Sequence, residues 1–484
     1  MSRLGLSLII KARNFATKVK VHLDSEICAS FDKEEFKYRK HPGIVRPKSV
    51  FLPKWVLQAI KDVFQNVHDK KKVIEDAKTL SNILNYRKPP PDNEEIEQKV
   101  TKVEKILKTK YGLTEVDIEN HKKGKLLLKQ NLYNWKPLNY DDHLSLVYLI
   151  ARATENYTVT YKVFQEINAI NPNFKPKSIF DFGSGIGTVS WAASQMWSSS
   201  LKEYLCVDTS AEMNELFLKL IKHAEPQIRT VYLRQFFPAS PIPKFDIVVS
   251  AFSLMELPDI NARLDVILRL WRKTEHYLVI IEKGSFSGYK LVNEARDFVL
   301  NNVNSRNERD PSPAYVLAPC PHDLDCPVYE TRNFPCSFQI YYQSLPKKSD
   351  GVSKGRYEKF SYVVLAKGER PVDDKQWPRI IRPVLKRSKH VICRMCTASG
   401  EFQESIISKK PYKGHVYRCA KVSEWGDRIP MNFEKIEVDE RNKVKMNEEN
   451  LIDLCTEEIY EDEKELNEMD ERYETDCLKN TKED

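Results

Sequence analysis

The chain lacks any apolar run long enough to span a bilayer as a helix; Leu4 to Ile10 is far too short, so a helical membrane anchor is not expected. It also lacks an internal repeat, which argues against solenoid and propeller architectures. Its ten cysteines, spread through 484 residues with one dense cluster, do not make a disulfide framework. Acidic residues are missing from the first 23 positions, where Arg3, Lys11, Arg13, Lys18 and Lys20 alternate with Leu4, Leu6, Leu8, Ile9, Ile10 and Phe15. A basic, acid-free, amphipathic start of this kind predicts a mitochondrial presequence over residues 1–20 and a matrix destination. The brevity of its apolar run argues against a secretory signal. A reducing matrix favours metal ligation by the clustered thiols over cross-linking.

What is present is charge, unevenly placed. From Glu434 to Asp484 there are 20 acidic and 8 basic residues, so the tail carries −12 of a total of +8 and the rest of the chain about +20. Such a body suits a polyanionic partner, because lysines and arginines that neutralise phosphates release counterions. The tail, 431–484, has the composition of a disordered segment.

Apolar spacing predicts helices over Trp55–Val67, Glu94–Tyr111 and Leu144–Ile170, with a breaker at Lys88-Pro89-Pro90-Pro91-Asp92. From Pro176 the texture becomes alternating strands and helices: strands near 178–181, 203–207, 245–250 and 277–281, helices over 188–196, 211–223 and 260–273. That alternation predicts an α/β, doubly wound, Rossmann-like sheet, with Phe338–Gln343 and Lys359–Ala366 completing its edge. The expected organisation is a helical region (21–170), a sheet domain (171–375) carrying a cysteine-rich insertion (311–337) between its last helix and the edge strands, and a small basic β extension (376–430). Within that extension His390–Cys393, Glu401–Ser408 and His415–Lys421 all have β character.

Two motifs carry chemistry. Asp181-Phe182-Gly183-Ser184-Gly185-Ile186-Gly187 follows a strand, and glycines there permit a tight turn and close ligand approach. Asp208 ends the next strand, placed to accept hydrogen bonds from ribose hydroxyls. A dinucleotide site would have the longer Gly-x-Gly-x-x-Gly spacing; this turn instead resembles motif I of the class I S-adenosylmethionine-dependent methyltransferases. By that resemblance Asp181, Gly183, Ser184, Gly185, Gly187 and Asp208 hold the donor, with Ser250 near its reactive end. Catalytic groups are missing: Ser250-Ala251-Phe252-Ser253 stands where an amine methyltransferase carries Asn/Asp-Pro-Pro-Tyr.

The second motif is Cys320-x5-Cys326-x9-Cys336, flanked by Pro319, Pro321, Pro327 and Pro335, with a fourth thiolate available from Cys393 or Cys396. Four thiolates suit an iron–sulfur cluster or structural zinc; His322 is a hydrogen-bonding neighbour or a substitute zinc ligand. Lys375 to Gly400 contains no acidic residue, and Arg379, Arg382, Lys386, Arg387, Lys389 and Arg394 are candidate RNA phosphate contacts.

His41-Pro42-Gly43-Ile44, Arg152 to Tyr157, Asp181 to Thr188, Cys320-Pro321-His322-Asp323, Trp377-Pro378-Arg379-Ile380 and Val422 to Asp427 together resemble the mitochondrial methyltransferase-like protein 17 family, related to a methyltransferase-class protein of the yeast ribosomal small subunit. The resemblance spans most of residues 40–430. It implies an assembly factor for the mitochondrial small ribosomal subunit that binds ribosomal RNA, retains a methyl-donor pocket, carries a [4Fe-4S] cluster and has lost methyl transfer. Cys396, which precedes the Thr397–Gly400 turn, is then the fourth ligand beside Cys320, Cys326 and Cys336, and the factor is expected to be monomeric away from the subunit. The rival readings are an active ribosomal RNA methyltransferase, a zinc-containing structural ribosomal component, and a small-molecule methyltransferase, against which the basic body argues.

Overall fold

Residues Ile179 and Phe180 are both buried although they point to opposite faces of one strand, the signature of a sheet covered by helices on both sides. The computed structural model describes residues 19–435 apart from 48, 92–95, most of 99–134, 239–241, 305–312, 330–333, 346–354 and 413. Residues 1–18 of the expected presequence, the acidic tail beyond 435 and half of the helix expected over 94–111 therefore lie outside the described residues. Val21–Phe433 forms one compact unit. Among the described residues no helix is long and apolar enough to cross a membrane.

The described residues open with strand β1 (Val19–Leu23) and helices α1 (Ser25–Asp32), α2 (Lys54–Gln65), α3 (Lys70–Tyr86) and the 29-residue α4 (Asp142–Ile170). Next come β2 (Ser178–Phe182), α5 (Thr188–Trp197), β3 (Glu203–Val207), α6 (Ala211–Ile221), β4 (Val231–Arg234), β5 (Phe245–Ala251), α7 (Ile260–Lys273), β6 (Thr274–Lys283) and α8 (Phe286–Asn304). β7 (Ala314–Ala318), β8 (Phe338–Gln343) and β9 (Gly355–Lys367) complete the sheet. Its strand order is β4-β3-β2-β5-β6-β9-β7, with β8 also paired to β9. The first five are parallel, and β9 runs antiparallel to both β6 and β7. This is the class I methyltransferase arrangement. The chain order reverses at β2, between β3 and β5, where an open α/β sheet leaves a crevice at the carboxyl ends of its strands.

Side chains alternate between two cores with the strand period of two. Ile179, Ile247, Val249, Val279 and Ile281 pack with Trp55, Phe164, Trp191 and Phe217 from α2, α4, α5 and α6. Phe180, Val248, Leu278 and Ile280 face Ile267, Trp271, Leu291 and Ala295 from α7 and α8.

The edge differs from expectation. β7 precedes the cysteine segment, so Pro319–Ser337 interrupts the sheet edge between two strands instead of joining a helix to it. β8 pairs with Gly355–Phe360 of β9 and β7 with Val364–Lys367, while Ser361 between them donates its hydroxyl to the Cys336 carbonyl at 2.8 Å. The C-terminal module contains β10 (Arg379–Ile380), β11 (Leu385–Lys386), β12 (His390–Cys396), β13 (Phe402–Ser408), α9 (His415–Val422) and β14 (Met431–Lys435). The β reading of His415–Lys421 is corrected: Tyr417, Cys419 and Ala420 fall on one buried helical face beside Val391, Cys393 and Met395.

The short motifs at residues 41–44, 377–380 and 422–427 meet in one joint. Ile380 and Asp427 share a backbone bond of 2.9 Å, Gly426 donates to the Ile380 carbonyl at 2.9 Å, and Arg428 donates to the Gly43 carbonyl at 2.9 Å. A Cβ on Gly43 would lie 2.0 Å from the Arg428 carbonyl oxygen, which is why glycine stands there. At the centre, buried Arg379 pairs with buried Glu166 of α4 and donates to the carbonyls of Pro319 and Gly426 at 3.0 and 2.7 Å. Burial would raise the Glu166 carboxyl, but Arg379 and Lys162 hold it at about 2. Removing one partner strands a buried charge, so Glu166→Ala is expected to destabilise the protein by about 3–5 kcal/mol. Denaturant unfolding measures this, and a loss below about 1 kcal/mol would mean the joint does not depend on the pair.

Candidate methyl-donor and metal sites

The turn after β2 places three glycines at φ +72°, +49° and +89°, a region that other residues avoid. Their roles differ. A Cβ on Gly183 would meet Ser253 Cβ at 2.4 Å and one on Gly187 would meet the Phe217 ring at 2.0 Å, so these two permit close packing of the turn. Gly185 has only Asp208 Oδ2, at 4.0 Å from such a Cβ, and so faces open space. Its N–H donates to Asp208 Oδ2 at 2.8 Å, and Ser210 N–H donates to Oδ1 at 3.0 Å. Burial raises the Asp208 pKa against these two donors. Asp181 is 1% exposed, and neither of its carboxylate oxygens has a protein partner; burial and then Asp208 push its pKa well up. The Ser184 hydroxyl and Asn214 Oδ1 are likewise buried and unpartnered, though Asn214 Nδ2 donates to the Asp208 carbonyl. Buried polar atoms without partners call for a polar ligand or water, so the groups present fit a nucleoside donor.

Ser250 sits further in than expected. It is fully buried, its hydroxyl lies 2.7 Å from that of Ser253, and Ser253 donates to the Phe182 carbonyl at 3.1 Å. The pair braces the turn against β5. The carboxyls nearby are also engaged: Glu282 accepts from Leu254 N–H at 2.9 Å, with burial raising its pKa to about 8, and Glu256 pairs with Arg87 at 2.8 Å. Sequence reasoning missed the contribution of the N-terminal helices here. Arg87 at the end of α3 also donates to the Lys136 carbonyl at 2.8 Å, Trp135 donates to that of Met255 at 3.0 Å, and Ser210 donates to that of Tyr140 at 2.7 Å. These bonds place residues 135–140 against the loops after β3 and β5. Arg152, in the Arg152–Tyr157 stretch, pairs with Glu358 at 3.0 Å and bonds Asn156, which donates to Tyr148. No sequence periodicity marks Arg87 or Arg152 as partners of carboxylates that lie far along the chain.

Cys320, Cys326, Cys336 and Cys396 line one small cavity together with Pro319, Pro327, Val328, Phe338, Ile381 and Arg379. The first three come from the interrupted edge and the fourth from β12. Cys393 points the other way: three residues apart on a strand puts two side chains on opposite faces, and Cys393 packs with Val391 and Met395 in the C-terminal core. Burial raises the Cys320 thiol to about 11, opposed by Arg296, and pushes Cys336 and Cys396 well above the ordinary range. Around them Tyr289 O–H lies 3.0 Å from Cys326 Sγ and His322 Nε2 lies 3.0 Å from Cys396 Sγ, so His322 is a hydrogen-bonding neighbour. Arg296 is fixed by the Leu324 carbonyl at 2.5 Å and Asp297 at 2.5 Å.

Four thiols converging from two elements, with two buried guanidinium groups beside them, fit a thiolate-bound metal centre of net negative charge.

The six basic candidates separate. Arg379 is a correction: it is 2% exposed, paired with Glu166 and turned to the cysteine cavity, with no face for a phosphate. Arg382 stacks over Phe334 at 4.7 Å, and Arg394 donates to the Pro383 carbonyl at 3.1 Å and stands opposite Glu404 in the β12–β13 register. Lys386, Arg387 and Lys389 are exposed at the tip of the β11–β12 hairpin.

Residues 142–430 match the family described as mitochondrial small ribosomal subunit Rsm22. The human mitochondrial ribosome assembly protein METTL17 is 40% identical over 400 residues, covering 81% of this chain and 86% of that protein. The mitochondrial ribosome assembly protein RSM22 of Saccharomyces cerevisiae is 21% identical, covering 60% of this chain and 67% of that one. A mitochondrial Rsm22-cox11 tandem protein of Schizosaccharomyces pombe is 26% identical across 59% of this chain and 43% of its own. Among solved structures, a SAM-dependent methyltransferase from Aquifex aeolicus aligns over 47% of this chain and 99% of its own at 15% identity and a TM-score of 0.29, so the fold assignment rests on strand order instead. With the matched segment running from α4 through the cysteine cavity to the end of the C-terminal joint, the chain belongs to the Rsm22 family.

Proposed function

We propose that this protein is an assembly factor of the mitochondrial small ribosomal subunit, acting in the matrix, that binds the immature subunit through its ribosomal RNA. The observation that carries this reading is the convergence of Cys320, Cys326, Cys336 and Cys396 on one cavity. That cavity fastens β12, and with it the exposed Lys386-Arg387-Ser388-Lys389 hairpin, to the edge of the methyltransferase sheet. A [4Fe-4S] cluster held by the four thiolates supplies a rigid cross-link there, with Arg296 and Arg379 offsetting its negative charge. Relatives named as mitochondrial ribosome assembly proteins support the partner and the compartment.

In this reading the donor crevice binds S-adenosylmethionine but does not transfer its methyl group. Asp181, Ser184 and Asn214 offer unpartnered polar atoms to a ligand, whereas Ser250 and Ser253 are consumed by each other and by the Phe182 carbonyl. The basic region 376–430 is the RNA-facing part, residues 135–140 border the donor crevice, and the protein is a monomer before it docks.

Anaerobically purified wild type is expected to be brown and to hold about four irons per chain. Cys320→Ser and Cys396→Ser should lose the iron and bind pre-subunit RNA at least tenfold more weakly, while Cys393→Ser keeps both. Zinc in place of iron, or RNA binding untouched by cluster loss, would overturn the reading. Alanine at Lys386, Arg387 and Lys389 together is expected to flatten the salt dependence of binding by about 0.7 per lost phosphate contact on a single strand.

The donor pocket has its own test. Gly185→Ala should weaken S-adenosylmethionine binding, measured by calorimetry, by more than tenfold, at a stability cost of about 1–2 kcal/mol for an alanine held at positive φ. Gly187→Ala, meeting the Phe217 ring at 2.0 Å, should lower stability itself by about 1–3 kcal/mol or more. Radiolabelled methyl groups appearing on immature subunits with wild type, and vanishing with Gly185→Ala, would show an active ribosomal RNA methyltransferase instead.

A further inference from the structure

A second cluster of metal-ligating groups stands apart from both sites. Cys28 and Asp32 lie four residues apart on α1, so both project from one face a turn apart. His415, the first residue of α9, meets them from the other end of the described chain. The ligand atoms of the three all lie within 4.8 Å of one another: Cys28 Sγ is 4.0 Å from Asp32 Oδ2, and His415 Nε2 is 2.8 Å from Asp32 Oδ1.

The surroundings look like a supporting shell. His415 Nδ1 lies 2.7 Å from the Tyr38 hydroxyl, which also accepts from Arg418 Nη1 at 3.3 Å. The Phe31 ring stacks on the imidazole at a centroid distance of 5.5 Å and an angle of 26°. A ligating histidine usually has its second ring nitrogen held in this way, which fixes the ring and the tautomer. The side chain of His415 is 28% exposed and that of Asp32 is 65% exposed, so one direction opens to water.

We propose that Cys28, Asp32 and His415 bind a single zinc ion, with water as fourth ligand. Zinc bonds of about 2.0–2.3 Å place tetrahedral ligand atoms about 3.3–3.8 Å apart, close to the separations already present. Thiolate and imidazole select zinc over calcium or magnesium, and one thiolate with one carboxylate neutralises its charge. On binding, Cys28 loses its thiol proton to solvent. The imidazole stays neutral, with Nε2 on the metal and its one N–H on Nδ1, donated to Tyr38.

Such an ion joins α1 to α9. Ile27 and Phe31 of α1 pack against Trp377, and Asp24 and Glu26 hold Lys375 at 3.7 and 3.0 Å. The clamp therefore fixes the start of the acid-free segment, where Lys375 and Trp377 meet α1.

The test is metal content of the full-length protein after dialysis against buffered zinc, with zinc and iron both counted by mass spectrometry. Wild type and Cys320→Ser should each retain one zinc that Cys28→Ser, Asp32→Asn and His415→Ala lose, with iron in those three unchanged from wild type. Tyr38→Phe, which leaves all three ligands, should weaken zinc binding about 10–100-fold. In cobalt-loaded protein the thiolate-to-metal charge-transfer band should disappear with Cys28→Ser. Equal zinc in His415→Ala and wild type, or no zinc in wild type, overturns the proposal. Iron is the readout of the four-cysteine centre, so the two readings fail separately.

Discussion

The buried Arg379–Glu166 pair is the constraint on which the remaining architecture turns. A charge inside a protein is tolerable only when it is paired and its remaining donors are satisfied. Arg379 meets that condition by reaching four elements at once: Glu166 on α4, the Pro319 carbonyl at the start of the cysteine loop, the Gly426 carbonyl of the C-terminal joint, and the cavity lined by the thiols. Tyr362 of β9 donates to the same glutamate at 2.7 Å. Helix, sheet, loop and module are thus held in register by one guanidinium. Its residual positive charge also makes the cavity a better place for several thiolates than an apolar one would be.

The donor end of the sheet is organised on the same principle. Arg87 with Glu256, and Arg152 and Lys283 with Glu358, place paired charges where the parallel strands end and β9 begins. Burial lowers the Lys283 pKa to about 8 even though Glu358 opposes the shift. The helical N-terminal region is bound into the sheet's functional edge through these pairs. By contrast, the oxygens of Asp181 and Ser184 remain without protein partners inside the same crevice. Satisfied charges at the rim and unsatisfied polar atoms within are what a site built to receive a polar ligand displays.

The basic segment shows how position sorts residues of one type. Arg379 and Arg394 differ from Lys386, Arg387 and Lys389 in where β10, β11 and β12 place them, not in chemistry. The first is inside, the second lies along the sheet, and the last three crown a hairpin. A composition argument could see only that acid was missing from residues 375–400.

The sequence by itself determined the α/β sheet, because apolar runs of strand length alternating with helical periodicity admit few other packings, and it marked the glycine turn with Asp208 because glycines after one strand and a carboxylate ending the next resemble a donor-binding motif. It also marked Cys320, Cys326 and Cys336, since proline-flanked cysteines are unusual enough to stand out, and left the fourth thiol open between Cys393 and Cys396. Tertiary structure decided what local pattern could not. Strand register, a matter of odd or even spacing, turned Cys393 into the core and Cys396 toward the cavity; packing on Val391 and Met395 made residues 415–422 a helix; and long-range ion pairs chose Arg379 for the interior. Those outcomes depend on tertiary partners, as far as 213 residues apart for Arg379 and Glu166, and only the folded chain brings such partners into contact.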